Sequence, residues 1–424
     1  MHKRAAFVAV SLSLVCLLAG TAGCVLIRAK KDLAQLGQCV RISGTVACSR
    51  PTTKPLCVAL YEEVAGQARK QLRAYQAIYQ NGTFSFLIMP GTYYLFAFED
   101  INEDCVFQQN EPVGWYGSPS PLDFVGSTDL EKLTITLRPP AEARKELPLL
   151  YSEKGRAVDM QVANRHVGTV ISLSDPRFDP ETGVLGMWEP VTFFERYGFG
   201  LFFLQPYDPQ RQPVLFVHGV GGTPRNFEYL AKSLDPARFQ PWVLHYPSGL
   251  RLGLMAEALA RIVDEVRTRT KCQSLIIVAH SMGGLVARDL LNRLSAQGKL
   301  SLPLFVSISS PWQGHPGAGV GVQHSPVILP CWYDMSPGSP YLEALRQTAL
   351  PDKTAYYLLF GYRGDSAMMA DGNTDGTLPL SSMLDPGMQN AAAKVLGFNE
   401  THASILSSPD VSARLNRILD SLAQ

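Results

Sequence analysis

The sequence lacks a surplus of charge of either sign. Its 424 residues include 38 Lys and Arg against 37 Asp and Glu, a formal net charge of +1. A nucleic-acid-binding protein would need a basic surplus, so no nucleic-acid partner is expected. Charged residues are few, at 18%, whereas hydrophobic residues reach 46%. This composition, without internal repeats or long low-complexity runs, excludes a disordered or collagen-like chain and predicts a globular protein.

Metal-binding patterns are also missing. No group of His, Cys, Asp or Glu has the spacing of a metal site, and no cofactor is expected. Asp100, Asn102 and Asp104 offer oxygen ligands at alternate positions, as in a calcium loop. However, Cys105 stands where such a loop needs Gly, and no bidentate Glu follows. A solvated acidic turn is the better interpretation.

The N-terminus has the order of a secretory signal: two basic residues, an apolar run, and small residues before Cys24. This predicts a signal peptide over residues 1–23. The Ala-Gly-Cys ending resembles the lipobox of bacterial lipoproteins, which implies lipid attachment at Cys24. The alternative is an uncleaved anchor, because the 23 uncharged residues between Arg4 and Arg28 could span a bilayer. Either way, we expect a membrane-anchored protein that faces the periplasm or the cell exterior.

The chain is expected to form two folded regions. Short alternating segments from about residue 40 to 137 predict a small antiparallel β-sandwich. From residue 166 onward, apolar strands alternate with helical patterns, which predicts a mostly parallel sheet covered by helices. The predicted organisation is a signal peptide (1–23), a lipid-anchored tether (24–38), a β-sandwich (39–138), a hinge (139–165) and an α/β domain (166–424).

The small domain offers few chemical clues. The stretch Gly82–Phe86, followed by residues 90–93, resembles carboxypeptidase-regulatory-like and transthyretin-like sandwiches. This region contains no histidine. We interpret it as a spacer or a binding module, whose partner would be a protein or a glycan. Four cysteines near this region could form two disulfides in an oxidising compartment, or could be buried thiols: Cys39, Cys48, Cys57 and Cys105.

Residues 279–284, Ala-His-Ser-Met-Gly-Gly, follow an apolar strand and begin a helical run. This is the nucleophile-elbow pattern Gly-x-Ser-x-Gly, with Ala279 in the first small position. Ser281 would occupy a strained turn with its hydroxyl exposed, where bulky neighbours two residues away would clash. The helix N-terminus would direct free N–H groups at an anion forming beside Ser281. The alternative is a serine that only caps the helix.

A second motif, residues 214–222, runs from an apolar strand into His-Gly-Val-Gly-Gly. The glycines indicate a tight turn where a backbone N–H could point at a developing oxyanion. Together with Ser-Pro-Trp-Gln-Gly-His at 310–315, these motifs resemble the α/β-hydrolase superfamily, specifically its bacterial triacylglycerol-lipase and GPI-inositol-deacylase-like branch. The resemblance covers about two thirds of the chain. It implies an α/β-hydrolase fold and oxyanion-hole donors at the N–H groups of Met282 and Val220.

The remaining catalytic residues follow from the chain order Ser, acid, His of that fold. Residues 372–380 resemble the lipase segment Asp-Gly-x-x-Pro that carries the acid, which selects Asp375. His402 is the only histidine beyond it, and becomes the base. Asp371 and Asp365 are the alternative acids. His218 precedes Ser281 in the chain and is expected to be structural.

The segment from Pro311 to Leu345 is rich in glycine, proline and large apolar side chains. We expect it to cap an apolar cleft, with Trp312 and His315 in the wall of the substrate pocket. The alternative is an irregular loop whose aromatic rings pack on the sheet.

The sequence therefore predicts a membrane-tethered serine hydrolase that cleaves carboxylic esters of lipid or acyl-chain type. Activity should decline at acid pH, because His402 must be neutral to accept a proton. Two alternatives stay open. One is an acyltransferase that uses the same triad, and the other is a catalytically inactive surface-binding lipoprotein.

Overall fold

The structure is a computed structural model, and it describes residues 25–62, 71–78, 82–103, 107–117, 122–124, 129–140, 165–364 and 373–423. Several predicted features lie outside these ranges: the signal segment, Cys24, Cys105, most of the hinge, and the alternative acids Asp365 and Asp371. The chain divides into two compact units, a smaller one of Ala34–Arg165 and a larger one of Met1–Leu33 with His166–Gln424.

The smaller unit contains two β-sheets that share a core. Its strands are β1 (Val40–Ala47), β2 (Leu56–Glu62), β3 (Gln71–Ile78), β4 (Thr83–Ile88), β5 (Gly91–Glu99), β6 (Val113–Trp115), β7 (Leu122–Phe124) and β8 (Leu130–Thr136). One sheet has the order β4-β1-β8, and the other has the order β3-β2-β5-β6 with β7 paired to β5. The strand pairs are antiparallel except β1 with β8, which is parallel.

Apolar side chains from both sheets meet in this core, including Val40, Leu56, Phe84 and Ile135. A second apolar cluster, which contains Phe96, covers the other face of the five-stranded sheet. This explains why β2 is buried almost throughout and does not alternate. Cys39 and Cys48 are free thiols, which agrees with the alternative of unpaired thiols for these two residues.

The larger unit is built on one eight-stranded sheet. Its strands are β9 (Arg165–Val170), β10 (Phe199–Phe203), β11 (Gln212–Val217), β12 (Phe239–His245), β13 (Ile276–His280), β14 (Leu304–Ile308), β15 (Ala355–Gly361) and β16 (Lys394–Phe398). The order is β16-β15-β14-β13-β11-β12-β10-β9. Strands β11 to β16 are parallel to one another, whereas β10 runs antiparallel to β12.

Helices cover both faces of this sheet, which is why β13 and β14 are continuous apolar runs. The helices are α1 (Pro180–Trp188), α2 (Pro190–Tyr197), α3 (Glu228–Lys232), α4 (Leu252–Thr270), α5 (Met282–Gln297), α6 (Pro316–His324), α7 (Pro330–Met335), α8 (Pro340–Gln347), α9 (Leu380–Met383), α10 (Pro386–Ala391) and α11 (Pro409–Asp420). Helices α4 and α5 pack on one face, and α3 and α11 on the other. The predicted fold class is confirmed.

Residues 25–36 form a further helix, called the N-terminal helix below. Its residues up to Leu33 belong to the larger unit, although the sequence analysis treated them as part of a tether. Within the described ranges, no helix combines the length and the apolarity needed to cross a membrane.

Candidate active site

Ser281 occupies the sharp turn between β13 and α5. Its φ is +56° and its ψ is −135°, a conformation that costs energy for any residue with a side chain. The turn is held by a hydrogen bond from the Ser281 amide to the carbonyl oxygen of Ile308 on the neighbouring strand, at 2.9 Å. The serine is therefore fixed at the carboxyl end of the central parallel strands.

Glycines surround this turn because there is no room for side chains. A methyl group on Gly283 would overlap the carbonyl oxygens of Val217 and His218. A methyl group on Gly284 would overlap the Ser310 hydroxyl. These contacts are the physical reason for small residues after the serine in the elbow motif.

The structure brings Ser281, His402 and Asp375 together in one hydrogen-bonded chain. The Ser281 Oγ lies 2.9 Å from Nε2 of His402, and Nδ1 of His402 lies 2.6 Å from Oδ2 of Asp375. Asp375 follows β15 and His402 follows β16, so the three side chains converge at one edge of the sheet. Since a carboxylate only accepts, Nδ1 donates to Asp375, which leaves Nε2 free to accept from the Ser281 hydroxyl.

Asp375 is fully buried and held by backbone donors. Its Oδ1 accepts hydrogen bonds from the amides of Thr377 and Leu378, at 3.0 and 2.7 Å. Burial opposes ionisation, but the hydrogen bond and charge of His402, together with these amides, outweigh it and hold the pKa of Asp375 below its usual value. The acid is therefore ionised at neutral pH.

His280 contacts His402, the histidine that links Ser281 to Asp375. Its Nε2 donates to the carbonyl oxygen of His402 at 2.9 Å, and the two rings are 4.7 Å apart. Burial, with a smaller contribution from His402, lowers the pKa of His280 to about 3. A neutral imidazole thus supports the loop that carries His402. The sequence showed this residue only as the variable position of the elbow motif, so its role was missed.

The glycine loop, which is residues 218–222 after β11, contacts Ser281. A methyl group on Gly219 would come within 2.8 Å of the Ser281 Cβ. Of the residues that the structure describes, none accepts a hydrogen bond from the amides of Val220 and Met282, the two predicted oxyanion donors. The next amide, that of Gly221, donates a hydrogen bond to the hydroxyl oxygen of Ser248 at 2.9 Å. Ser248 was not found from sequence, because no motif connects it to this loop.

The His218 side chain contacts its own loop and Tyr246. Its Nδ1 is 2.9 Å from the carbonyl oxygen of Gly219, and its ring stacks on Tyr246 at 4.2 Å. The Tyr246 hydroxyl donates to the His218 carbonyl oxygen. Burial lowers the pKa of His218 to about 4. The ring is thus positioned to shape the loop.

The two predicted pocket residues have different surroundings. Trp312 is buried in the core, where its ring makes edge contacts with Phe305 and Tyr356. His315 begins α6 and accepts a hydrogen bond from the Gly317 amide at 2.9 Å. Burial and, to a smaller extent, the charge of His402 lower the pKa of His315.

The segment after β14 forms three short helices, α6, α7 and α8, and not an irregular loop. Helix α7 contacts α1 through an edge-on pair of rings, Trp188 and Trp332, with centroids 6.0 Å apart. Buried Asp334 accepts hydrogen bonds from the Leu252 amide at 2.7 Å and from Arg251. These contacts fix the segment to α1 and to the beginning of α4.

The described part of the chain contains no group of three His, Cys, Asp or Glu side chains that could hold a metal ion.

The chain is similar to solved structures at low sequence identity. No curated protein sequence shows significant similarity to the chain. Among solved structures, the mature Bacillus licheniformis lipase BlEst2 is 18% identical, with a TM-score of 0.41, over 52% of this chain and 97% of that one. A putative esterase from Staphylococcus aureus is 12% identical, with a TM-score of 0.38, over 53% and 80%. Residues 214–414 match the model of the alpha/beta hydrolase family, and the unit that contains them has the α/β-hydrolase fold.

Proposed function

We propose that this chain hydrolyses carboxylic esters through an acyl-enzyme formed on Ser281. The observation that carries the proposal is the hydrogen-bonded chain from the Ser281 hydroxyl through His402 to the buried Asp375 carboxylate. A serine hydroxyl is a weak nucleophile unless an adjacent base removes its proton. Here the base is oriented by a third group, and this is the arrangement that such activation requires.

In the first half of the reaction, Ser281 attacks the ester carbonyl while His402 takes its proton and passes it to the leaving alcohol. Asp375 stabilises the resulting imidazolium. The amides of Val220 and Met282 hold the oxyanion, and each such donor contributes about 3–4 kcal/mol to transition-state stabilisation. In the second half, His402 activates a water molecule that releases the acid and restores Ser281.

We propose a lipid or acyl-chain ester as the substrate and a tether at the N-terminus. The support for the acyl chain is the segment of α6 and α7, which is rich in apolar side chains and follows β14 at the carboxyl edge of the sheet, where Ser281 and His402 also lie. The support for the tether is the apolar run before Cys24. The enzyme would then act outside the cytoplasm at a membrane surface.

The test is hydrolysis of nitrophenyl esters of increasing acyl length by the full chain. Ser281→Ala, Asp375→Ala and His402→Ala should each lower kcat by about three orders of magnitude or more. Matched controls are Ser295→Ala, Asp410→Ala and His324→Ala, which change the same residue types away from the triad and should retain activity. Turnover that increases with acyl length would support the lipid substrate.

Two other outcomes would change the proposal. Turnover that does not depend on Ser281 would reject the mechanism. Ser281-dependent transfer of the acyl group to an added alcohol, with little free acid among the products, would indicate an acyltransferase.

A further inference from the structure

Residues 25–33 pack against the larger unit. Ala29 and Asp32 are buried, and Leu33 contacts the main core. The Asp32 carboxylate, 2% exposed, accepts hydrogen bonds from the amides of Val191 and Thr192, both at 2.8 Å. It also accepts from the Thr192 hydroxyl at 2.7 Å. Asp32 therefore caps the N-terminus of α2 from a helix about 160 residues earlier in the chain.

A second contact lies one turn earlier in the N-terminal helix. Nε of Arg28 donates to the Glu189 carboxylate at 3.0 Å, and Glu189 is the residue between α1 and α2. Two contacts one helical turn apart fix both the position and the direction of residues 25–33 at the junction of α1 and α2.

This junction is connected to the active site through α1. A methyl group on Gly183 would overlap the carbonyl oxygen of Gly221 in the glycine loop beside Ser281. The Met187 side chain also approaches Gly221. Helix α1 therefore lies directly on the loop that contains the proposed oxyanion donor, and the N-terminal helix is fixed to the end of α1.

The three helices at this junction expose large apolar side chains. Ile27 in the N-terminal helix is 71% exposed, Val184 in α1 is 53% exposed, and Phe194 in α2 is 37% exposed. Lys30 and Lys31 are exposed on the same N-terminal helix. Apolar side chains combined with lysines are typical of surfaces that lie in the head-group region of an anionic bilayer.

The chain that precedes this helix identifies the occupant of the surface. Residue 25 follows Cys24 directly, and an apolar segment lies before it. At 1.5 Å per helical residue, residue 25 lies about 10 Å along the helix from Asp32, and Cys24 is the preceding residue in the sequence. A chain attached to a membrane at this point brings the junction of α1 and α2 to the lipid surface.

We propose that residues 25–33, α1 and α2 form a membrane-contact face that lies against an anionic bilayer, with Asp32 holding the active site at a short, fixed distance from the lipid. The proposal rests on the proposed tether and ester substrate. It adds that the tether ends in a rigid helix and presents the active site to esters in the same membrane.

The first test compares two substrates on the same protein. Full-length protein is reconstituted in vesicles of phosphatidylcholine and phosphatidylglycerol that contain a fluorogenic long-chain ester, and a soluble nitrophenyl ester is assayed in parallel. Asp32→Ala should lower the ratio of vesicle turnover to soluble turnover at least fivefold. Asp410→Ala, which changes an aspartate in the first turn of α11, should leave the ratio unchanged. An unchanged ratio in Asp32→Ala, or equal loss on both substrates, would overturn the proposal.

The second test does not need activity. Tryptophan is introduced at an exposed apolar position of the face, as Val184→Trp, and at a distant exposed position, as Leu422→Trp. Brominated phosphatidylcholine in the vesicles should quench the added fluorescence of Val184→Trp and not that of Leu422→Trp. Equal quenching of the two variants would reject the membrane-contact face.

The results separate this proposal from the proposed function. Selective quenching without Ser281-dependent turnover would keep the face and reject the hydrolase. A different result is protein that floats with vesicles and shows Ser281-dependent turnover without selective quenching. This result would support the tethered hydrolase and reject the membrane-contact face. Protein that does not float with vesicles would reject both the tether and the face.

Discussion

Gly219 lies so close to Ser281 that a methyl group on its α-carbon would be 2.8 Å from the serine Cβ. Real Cβ atoms do not approach so closely, and neither backbone can move without displacing the nucleophile or the Val220 amide. We expect Gly219→Ala to lower kcat at least tenfold, since loss of one oxyanion donor costs 10²–10³. Steady-state ester hydrolysis measures this. The control is Gly319→Ala in α6, where a methyl group makes only ordinary contacts; equal kcat in both variants would contradict the expectation.

Asp375→Asn should be nearly inactive although it keeps the shape of the site. Oδ1 of Asp375 accepts from the amides of Thr377 and Leu378, so an asparagine would keep its carbonyl oxygen there and turn its NH₂ group toward His402. Nδ1 of His402 would then have to accept, which leaves Nε2 protonated and unable to take the Ser281 proton. The expected loss in kcat is about 10⁴. Asp410→Asn serves as the control, and a loss below tenfold would argue against Asp375 as the triad acid.

His280 should make the larger unit less stable in acid. Its pKa is lowered to about 3 by burial and by His402, whereas a histidine in the unfolded chain is protonated near pH 6.5. Between these values the unfolded state binds more protons, so the free energy of unfolding decreases as the pH falls. The stabilisation is complete above pH 6.5 and is lost progressively toward pH 3.

The matching variant is His280→Gln, which can still donate to the His402 carbonyl but does not titrate. Between pH 7 and 5, wild type should lose about 2 kcal/mol more unfolding free energy than this variant. Denaturant titrations at the two pH values provide the measurement. His324→Gln, at an exposed position of α6, should behave as wild type. Parallel losses in wild type and His280→Gln would show that His280 is not a source of the acid sensitivity.

Asp334→Ala should destabilise the protein without direct damage to the triad. The buried carboxylate caps α4 through the Leu252 amide and also binds Arg251, so the alanine variant leaves a helix N-terminus without its acceptor. We expect a loss of about 2 kcal/mol in unfolding free energy, measured by denaturant titration. Asp352→Ala, on an exposed loop, should change it by less than about 0.5 kcal/mol. Equal stability of the two variants would exclude this capping role.

The parts of the site that lie on local motifs could be predicted from sequence. The elbow at Ser281 requires small residues within a few positions, and the chain order of the fold then leads to Asp375 and His402. The buried strands β13 and β14 could also be predicted from the sequence, because parallel strands covered on both faces are continuous apolar runs. In each case the physical cause acts over a short stretch of chain.

Features that depend on contacts between distant parts of the chain have no local sequence pattern from which they could be predicted. Asp32 looks like any surface aspartate in the sequence, since its partners Val191 and Thr192 are about 160 residues away. Strand β3 does not keep a regular apolar–polar alternation, and it is specified by its pairing with β2. The parallel pairing of β1 with β8 joins strands about 90 residues apart, which alternation cannot reveal.

The position of β16 gives the enzyme an unequal resistance to mild denaturation. Among the residues that the structure describes, this strand is the edge of the sheet and pairs only with β15. It is largely exposed, yet His402 follows it by four residues. Ser281 instead follows a central strand that is buried throughout. Edge elements with little buried surface open with a smaller free energy than the centre of a sheet. Ser281 and His402 therefore belong to regions of different local stability, and fraying of one exposed strand would separate them while the rest of the sheet stays folded.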